Sequence, residues 1–542
     1  MPHSSSPALL KPAMNSRRRN WPWSRWTAVA SIAGLVWLGL GLPGGWRPSV
    51  AIVVAAGPKL PDMSTPQAKL KALEYFRQQG PWKTIKHTGA LTSKDVDKSL
   101  EYEKKLPDDR YAPLSDDASF MRRASFDLTG RPPAAPDLLA FVADASKDKR
   151  AKLIDRLLET DEFALRWAHF WRTVMFYNTP VAANRLDYGA FEDWLADMFK
   201  RHAGWDQITA AILAAEGKKK EVGPDNFILA CENQPTLLAS ETARVFMGVS
   251  IQCAECHHHP FDRWKREQFH ELAAFFAPGK YYMPDLQHPE EKTEMSARFL
   301  LGENPPPNLK ADARRVAVAA YLVYNPNNYW FARAYVNRIW SELLGDGFYA
   351  VDSLGPDGDV SHKLVVNRMA YVFRNQQFDA RWPFRLIMNT KAYQRQIRAP
   401  KSSDELFTAV RPSRLRPDQV AKALERIVGG DKLAKDVERI FAVDPSVPLA
   451  DVEGAIQQSL FLMNNPALQA AIKNGPLTQR LSKISSPERL VDDLYLDVLA
   501  RGPTAAERRR SLEYLKTVPN RAEAVSDLVW VLVNSTEFIS RR

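Results

Sequence analysis

Residues 150–160 read RAKLIDRLLET, and this stretch indicates the type of fold. Its apolar residues Leu153, Ile154, Leu157 and Leu158 recur at positions i, i+1, i+4 and i+5, which places them on one face of an α-helix. Alternating strand patterns are scarce, so we expect an all-α or nearly all-α fold. Comparable patterns predict helices at 65–79, 188–202, 206–215, 237–252, 266–277, 311–321, 330–344, 363–375, 383–394, 417–428, 452–462, 466–474, 486–499, 504–517 and 521–534.

The length and the composition predict more than one domain. A chain of 542 residues, 45% of them hydrophobic, is too long for a single core. Polar and Pro-rich stretches suggest the divisions. We expect a linker at 57–91, a helical domain at 92–280, a Pro-rich linker at 281–310 and a second helical domain at 311–542.

The net charge of +11 is concentrated at the N-terminus. Residues 1–56 contain six basic residues and no acidic residue, so the rest of the chain carries only +5. A surplus of this size, without a basic stripe interleaved with aromatic residues, argues against nucleic acid as a partner.

The N-terminal 56 residues have the features of an export signal. Arg17, Arg18 and Arg19 form a positive segment, and the apolar stretch 27–42 follows it. Small residues at 54–56 suit cleavage by signal peptidase. An uncleaved membrane anchor is the alternative, although sixteen helical residues span only about 24 Å of a hydrocarbon core about 30 Å thick. Either reading predicts a body exported to the periplasm or the cell envelope, with possible membrane association through this segment.

The sharpest chemical feature is the CxxCH motif formed by Cys253, Cys256 and His257. Two thiols three residues apart project to one side of a helical turn, where both can reach neighbouring vinyl groups of one porphyrin. The imidazole that follows can then ligate the iron. The spacing therefore predicts covalently attached haem c, with His257 as the metal ligand.

Two other chemistries suit the same residues. Zinc accepts thiolate and imidazole ligands, and Cys231 together with His258 or His259 could complete a site, although no second CxxC or HxxxH lies at the usual spacing. A redox disulfide between Cys253 and Cys256 is the third reading.

Several residues are candidates for the rest of a haem site. Met283 and His362 are possible distal ligands, but a core methionine and a histidine at a helix start capped by Ser361 are the plainer readings. Arg333 and Arg338 could face haem propionates, or they could pair with acidic residues of neighbouring helices.

Two long motifs resemble a known domain pair. Residues 122–133 (RRASFDLTGRPP) and 246–264 (FMGVSIQCAECHHHPFDRW) resemble the planctomycete cytochrome-c-like domain. Residues 330–340 (WFARAYVNRIW) and 534–538 (NSTEF) look like the planctomycete-specific domain that accompanies it. The resemblance covers roughly 92–540.

The resemblance implies exported, helical proteins with no assigned activity. Carried over by position, it makes Cys253 and Cys256 the haem attachment points and His257 the proximal ligand. His258 and the loop before Ser361 depart from the family pattern.

Together these features predict an exported haem-c-binding protein that serves as an electron-transfer or redox subunit with an unidentified partner protein. The alternative is a structural or binding protein of the cell envelope whose CxxCH site holds zinc or is vestigial. Paired catalytic carboxylates and a GxSxG motif are missing from the sequence, and whether the protein is an enzyme stays open.

Overall fold

Helices dominate the computed structural model, as the sequence predicts. The structure describes residues 65–78, 90–177, 179–260, 262–288, 290–353, 358–398 and 405–541. The predicted export signal at 1–56 lies outside these ranges. None of the helices within them combines the length and the apolar character that a membrane span requires.

The first eleven helices precede a short hairpin. They are α1 (Pro66–Gln78), α2 (Ser93–Lys104), α3 (Asp117–Thr129), α4 (Ala135–Ala143), α5 (Lys149–Leu158), α6 (Asp161–Phe176), α7 (Tyr188–Lys200), α8 (Trp205–Leu213), α9 (Asp225–Ala230), α10 (Pro235–Thr242) and α11 (Arg266–Ala273). Local sequence sets several of their ends. Thr92 and Asp95 form a capping box at the start of α2, and Gly130, with φ of 70°, ends α3 in the left-handed conformation that glycine adopts without strain.

The remaining helices follow the hairpin. They are α12 (Ala311–Tyr324), α13 (Trp330–Leu344), α14 (Lys363–Asn375), α15 (Trp382–Met388), α16 (Lys391–Gln394), α17 (Pro417–Val428), α18 (Ala434–Ile440), α19 (Ile456–Asn464), α20 (Pro466–Asn474), α21 (Pro476–Ser482), α22 (Pro487–Leu499), α23 (Ala505–Thr517) and α24 (Arg521–Val533). Every residue of α13 is buried, so this helix is a central element of the fold.

Two small antiparallel sheets complete the described structure. Strands β1 (Tyr281–Pro284) and β2 (Lys292–Met295) form a hairpin in which Tyr281 lies opposite Met295. This hairpin falls within the stretch 281–310 that the sequence assigns to a linker. Strands β3 (Ser413–Arg414) and β4 (Ser540–Arg541) pair residues from distant parts of the chain.

Buried apolar side chains form two hydrophobic clusters. The larger one draws on helices α1 to α16 and therefore on residues from both sides of 281–310. The smaller one is built mainly from α17 to α24. The domain boundaries proposed from composition stay a prediction.

The chain segment before the CxxCH motif differs from the helix predicted at 237–252. Helix α10 continues only as a π-helical turn, Ala243–Met247, and stops at Gly248. Gly248 has φ of 65°, and a Cβ atom there would lie 3.3 Å from the Cβ of Ala334 in α13. The close approach of α13, together with the left-handed backbone, ends the helix before the motif begins.

Candidate functional site

The two cysteines of the motif stand on the surface. Residues Gln252–Glu255 form a single 3₁₀ turn that contains Cys253, and Cys256 follows it directly. Both thiols are free and exposed. Between them, Ala254 is completely buried, and its N–H donates to the carbonyl of Ile251 at 2.9 Å. The buried alanine anchors the turn while both sulfur atoms remain accessible.

His257 is also exposed, and one of its ring nitrogens has a partner. Its Nδ1 lies 2.7 Å from the backbone carbonyl oxygen of His258. A carbonyl oxygen can only accept a hydrogen bond, so Nδ1 carries the proton in this contact. The lone pair of Nε2 is then available, which is the arrangement that metal-ligating histidines use.

The carbonyl of Glu255, between the two cysteines, is held from α11. It accepts hydrogen bonds from Nε of Arg266 at 3.2 Å and from Nε2 of His270 at 3.0 Å. Because His270 donates through Nε2, its Nδ1 accepts from the hydroxyl of Tyr281 at 2.8 Å. His270 is 1% exposed, and burial lowers the pKa of its imidazole, which favours the neutral form that these two contacts require.

The same two residues tie the hairpin to the motif. Arg266 also donates from Nη2 to the carbonyl of Pro284, at the end of β1. Tyr281, at the start of β1, contacts His270. Since side chains alternate along a strand, Met283 shares a face with Tyr281. The hairpin therefore lies beside the cysteine turn, and Met283 as a distal ligand stays a prediction.

The residues that follow His257 shape the loop. The Nδ1 of His258 accepts from the backbone N–H of Arg266 at 3.2 Å, and the N–H of His259 donates to the carbonyl of Trp264 at 2.8 Å. The indole of Trp264 is buried and packs edge-on against Trp330 of α13, with ring centroids 5.6 Å apart. Trp264 thus connects the loop to the central helix.

A zinc site is not preformed in the described ranges, which contain no group of three His, Cys, Asp or Glu side chains placed to hold a metal ion. Cys231, the third thiol considered for zinc, is buried in the larger hydrophobic cluster, and this burial raises the pKa of its thiol. The assignments of haem and of zinc both stay predictions.

His362, the other possible distal ligand, is buried at the start of α14. Its backbone is left-handed with φ of 45°, and its ring contacts that of Phe407. Burial lowers the pKa of this imidazole to about 4, so it is neutral near pH 7. The hydroxyl of Ser361 donates to the carbonyl of Phe348 at 2.9 Å, so the expectation that Ser361 caps α14 is wrong.

The arginines of α13 have different surroundings. The guanidinium of Arg338 forms a buried ion pair with Asp352, as the plainer reading predicts. Arg333 lies instead between the rings of Tyr329 and Tyr349, with its Cζ 5.4 Å from each centroid.

Sequence reasoning missed a buried polar cluster around α3. Asp127 accepts from Arg541 and from the hydroxyl of Tyr393, and Arg122 donates to the carbonyl of Glu537. The motif at 122–133 therefore has a structural role at the contact with the C-terminal end of the chain. Its signal in the sequence is the presence of Arg122, Arg123 and Asp127 in a helix that is otherwise rich in apolar residues.

The fold and the site together define a class of protein that is nearly all-helical and exposes a CxxCH turn on its surface. Residues 95–281 match the family model PSCyt2, described as a protein of unknown function (DUF1549). Residues 314–439 match the model PSD1, also described as a protein of unknown function (DUF1553). The two matches follow each other along the chain, which is consistent with the planctomycete-type domain pair. Neither curated proteins nor solved structures give a significant match.

Proposed function

We propose that this protein is exported and carries one covalently attached haem c, with which it transfers electrons outside the cytoplasm. Cys253 and Cys256 are the attachment residues, and His257 is the proximal iron ligand. The observation that carries the proposal is the CxxCH turn, whose two thiols are free and exposed beside an imidazole with an available Nε2.

The accessibility of the thiols supports attachment. Each thiol adds across one vinyl group, with sulfur bonding one carbon and the proton going to the other, so no oxidant is consumed. An exposed thiol outside the cytoplasm is otherwise prone to oxidation. Conversion to a thioether removes this liability, which gives a physical reason for two exposed cysteines in an exported protein.

The surrounding contacts support a fixed position for His257, the proposed iron ligand. The bonds from Arg266 and His270 to the Glu255 carbonyl restrain the turn between the two attachment points. The contact of the His257 Nδ1 with a backbone carbonyl orients the ring and makes Nε2 a stronger electron-pair donor to a metal. Haem bound here supplies one-electron redox chemistry, and its potential depends on the axial ligands and on burial.

Export rests on the sequence of the N-terminal 56 residues. The positive segment at 17–19 followed by the apolar stretch 27–42 supports transport through the general secretory route. Haem is attached to an unfolded chain after translocation, which agrees with this route.

The test is to express the full chain with its N-terminal segment in a host that has a haem c ligation system. A denaturing gel stained for haem peroxidase activity reports covalent attachment. We expect one haem per chain in the wild type and none in the double variant Cys253→Ala, Cys256→Ala. The matched control Cys231→Ala removes the buried thiol and should retain the stain.

A wild-type protein that reaches the periplasm without the stain, with both thiols free or occupied by another metal, would refute haem binding. Zinc in that material by elemental analysis would instead favour the structural or binding protein of the envelope. Accumulation of the full chain in the cytoplasm, without the stain, would refute export.

A further inference from the structure

Arg333 is a buried cation without an acidic partner. Its side chain is 5% exposed and lies between the rings of Tyr329 and Tyr349. Its Nε and Nη2 atoms are buried and have no hydrogen-bond partner, and among the described residues no carboxylate forms an ion pair with it. A guanidinium in this state costs free energy, because two of its three nitrogens have lost water without gaining acceptors.

Other buried arginines of the described structure have partners. Arg338, one and a half turns further along α13, pairs with Asp352, and Arg416 makes a two-pronged contact with Glu342. Arg374, which lacks a carboxylate, donates to the carbonyl of Pro326. Arg333 thus stands apart from arginines that serve only to hold the fold together.

The carboxylate near the Tyr349 hydroxyl, that of Asp352, belongs to other arginines. Asp352 is shared by Arg338 and Arg244, and Arg244 also pairs with Glu241. Asp352 is therefore already paired with two other guanidinium groups, which leaves the positive charge of Arg333 in excess. The excess charge favours binding of an anion.

A second donor lies beside Arg333. The hydroxyl of Tyr349 is buried and has no hydrogen-bond partner, and the guanidinium of Arg333 lies over its ring. Burial raises the pKa of this hydroxyl, so it keeps its proton and can donate. The two tyrosine rings also limit the movement of the guanidinium, which reduces the entropy cost of binding.

Helix α13, which carries Arg333, packs against the chain segments before and after the cysteine turn. Ala334, next to Arg333, packs against Gly248, five residues before Cys253. One turn before Arg333, Trp330 contacts Trp264 of the CxxCH loop.

We propose that Arg333 and the Tyr349 hydroxyl form a binding site for an oxyanion, the carboxylate or phosphate group of a ligand. The guanidinium offers parallel N–H donors that match such a group. One source of the oxyanion is a propionate of a porphyrin attached at Cys253 and Cys256, and this case rests on the proposed function. The other source is a free small anion.

The first experiment uses the full chain produced without a haem ligation system and kept reduced. Its Tm is measured against inorganic phosphate and, separately, acetate, at constant ionic strength set with chloride. We expect a saturable rise of about 2 °C with at least one of the anions. In Arg333→Met this rise should disappear, and the Tm without anion should increase because the buried charge is gone.

Two further variants serve as controls. Arg374→Met removes a buried arginine that has a protein acceptor, so it should lower the Tm and keep the rise with the anion. Tyr349→Phe should reduce the rise. Equal responses to the anions in wild type and Arg333→Met would overturn the proposal.

The second experiment identifies the source of the anion and is read only if the first succeeds. If haem-loaded protein no longer responds to phosphate or acetate, a propionate fills the site. If it still responds, the ligand is a free anion. A protein that binds no haem leaves the first experiment valid, so failure of the proposed function and failure of this proposal are distinguishable.

Discussion

Asp127 and Arg541 form a buried ion pair, although 414 residues separate them in the sequence. Oδ2 of Asp127 in α3 lies 2.6 Å from Nη2 of Arg541 in β4, and it also accepts from the hydroxyl of Tyr393 at 2.8 Å. Arg541 donates further to the carbonyls of Glu342 and Leu343 at the end of α13. The last strand of the chain is therefore fixed to helices of the larger hydrophobic cluster.

This pair predicts a large loss of stability for Asp127→Asn. The amide keeps the shape but removes the charge, so Arg541 is left as an unpaired cation in the interior. Breaking a buried pair in this way costs about 3–5 kcal/mol of the free energy of unfolding. Urea denaturation followed by circular dichroism measures the loss.

The control is Asp148→Asn, which removes the partner of Lys152 in an exposed pair 3.1 Å long. Exposed pairs contribute little because water screens them. A midpoint shift as small for Asp127→Asn as for Asp148→Asn would contradict a structural role for the buried pair.

Most of the helices were predictable from local patterns, but the sequence analysis did not predict α2, α3, α4, α6, α9, α18 and α21. The pattern at 330–344 matches α13, and the capping-box spacing from Thr504 to Glu507 marks the start of α23. Such signals lie within a few neighbouring residues. The pairing of Asp127 with Arg541 spans 414 residues, and a single sequence contains no information on which buried charges meet.

For the candidate site, the sequence predicted which side chains take part but not the contacts that hold them. The motif identified Cys253 and His257, but the contacts that hold the turn go to the backbone carbonyl of Glu255. Because every residue has a backbone carbonyl, the sequence does not indicate which one accepts these hydrogen bonds. The hairpin at 281–295 was missed because its strands are four residues long and exposed on most positions, so no buried alternation marks them.

The thiols should differ sharply in reactivity. Cys253 and Cys256 are exposed, so iodoacetamide should alkylate both within minutes in the native, reduced, haem-free protein. Cys231 is buried and its raised pKa disfavours the thiolate, so it should react only after unfolding in urea. Mass spectrometry of tryptic peptides measures each site. Rapid native labelling of Cys231 would contradict this placement of the three cysteines.

His270 should control the position of the cysteine turn. His270→Leu removes one donor to the Glu255 carbonyl and leaves the Tyr281 hydroxyl without an acceptor, which should cost about 1–3 kcal/mol. Because the turn is then less restrained, we also expect faster alkylation of Cys256. Tyr281→Phe removes only the hydroxyl and should have a smaller effect.

His288→Leu is the control for this prediction, since His288 is an exposed histidine of the same hairpin. It should leave both the urea midpoint and the labelling rate close to the wild type. Unchanged labelling of Cys256 in His270→Leu would show that the carbonyl contact does not restrain the turn.

Asp206 should give the protein a component of stability that is lost as the pH rises. Its carboxylate is fully buried next to Arg77, with 2.9 Å between Oδ2 and Nε, and burial raises its pKa to about 6. Between about pH 4 and pH 6 the unfolded chain has released this proton and the folded chain has kept it, so stability falls through that range. Asp206→Asn cannot titrate. Its advantage over the wild type in free energy of unfolding should therefore grow by about 3 kcal/mol from pH 4 to pH 7.

Asp352→Asn should show the opposite pH dependence, because Asp352 is also buried but its pKa is lowered instead of raised. Although burial opposes ionisation, Arg338 and Arg244 lower the pKa of Asp352. Its carboxylate therefore stabilises the fold above the pKa of the unfolded chain, and this contribution is lost as the pH falls. Relative to the wild type, Asp352→Asn should become less stable as the pH rises, whereas Asp206→Asn should become more stable. Urea titrations at each pH measure both differences, and parallel curves for Asp206→Asn and the wild type would show that folding does not shift the pKa of Asp206.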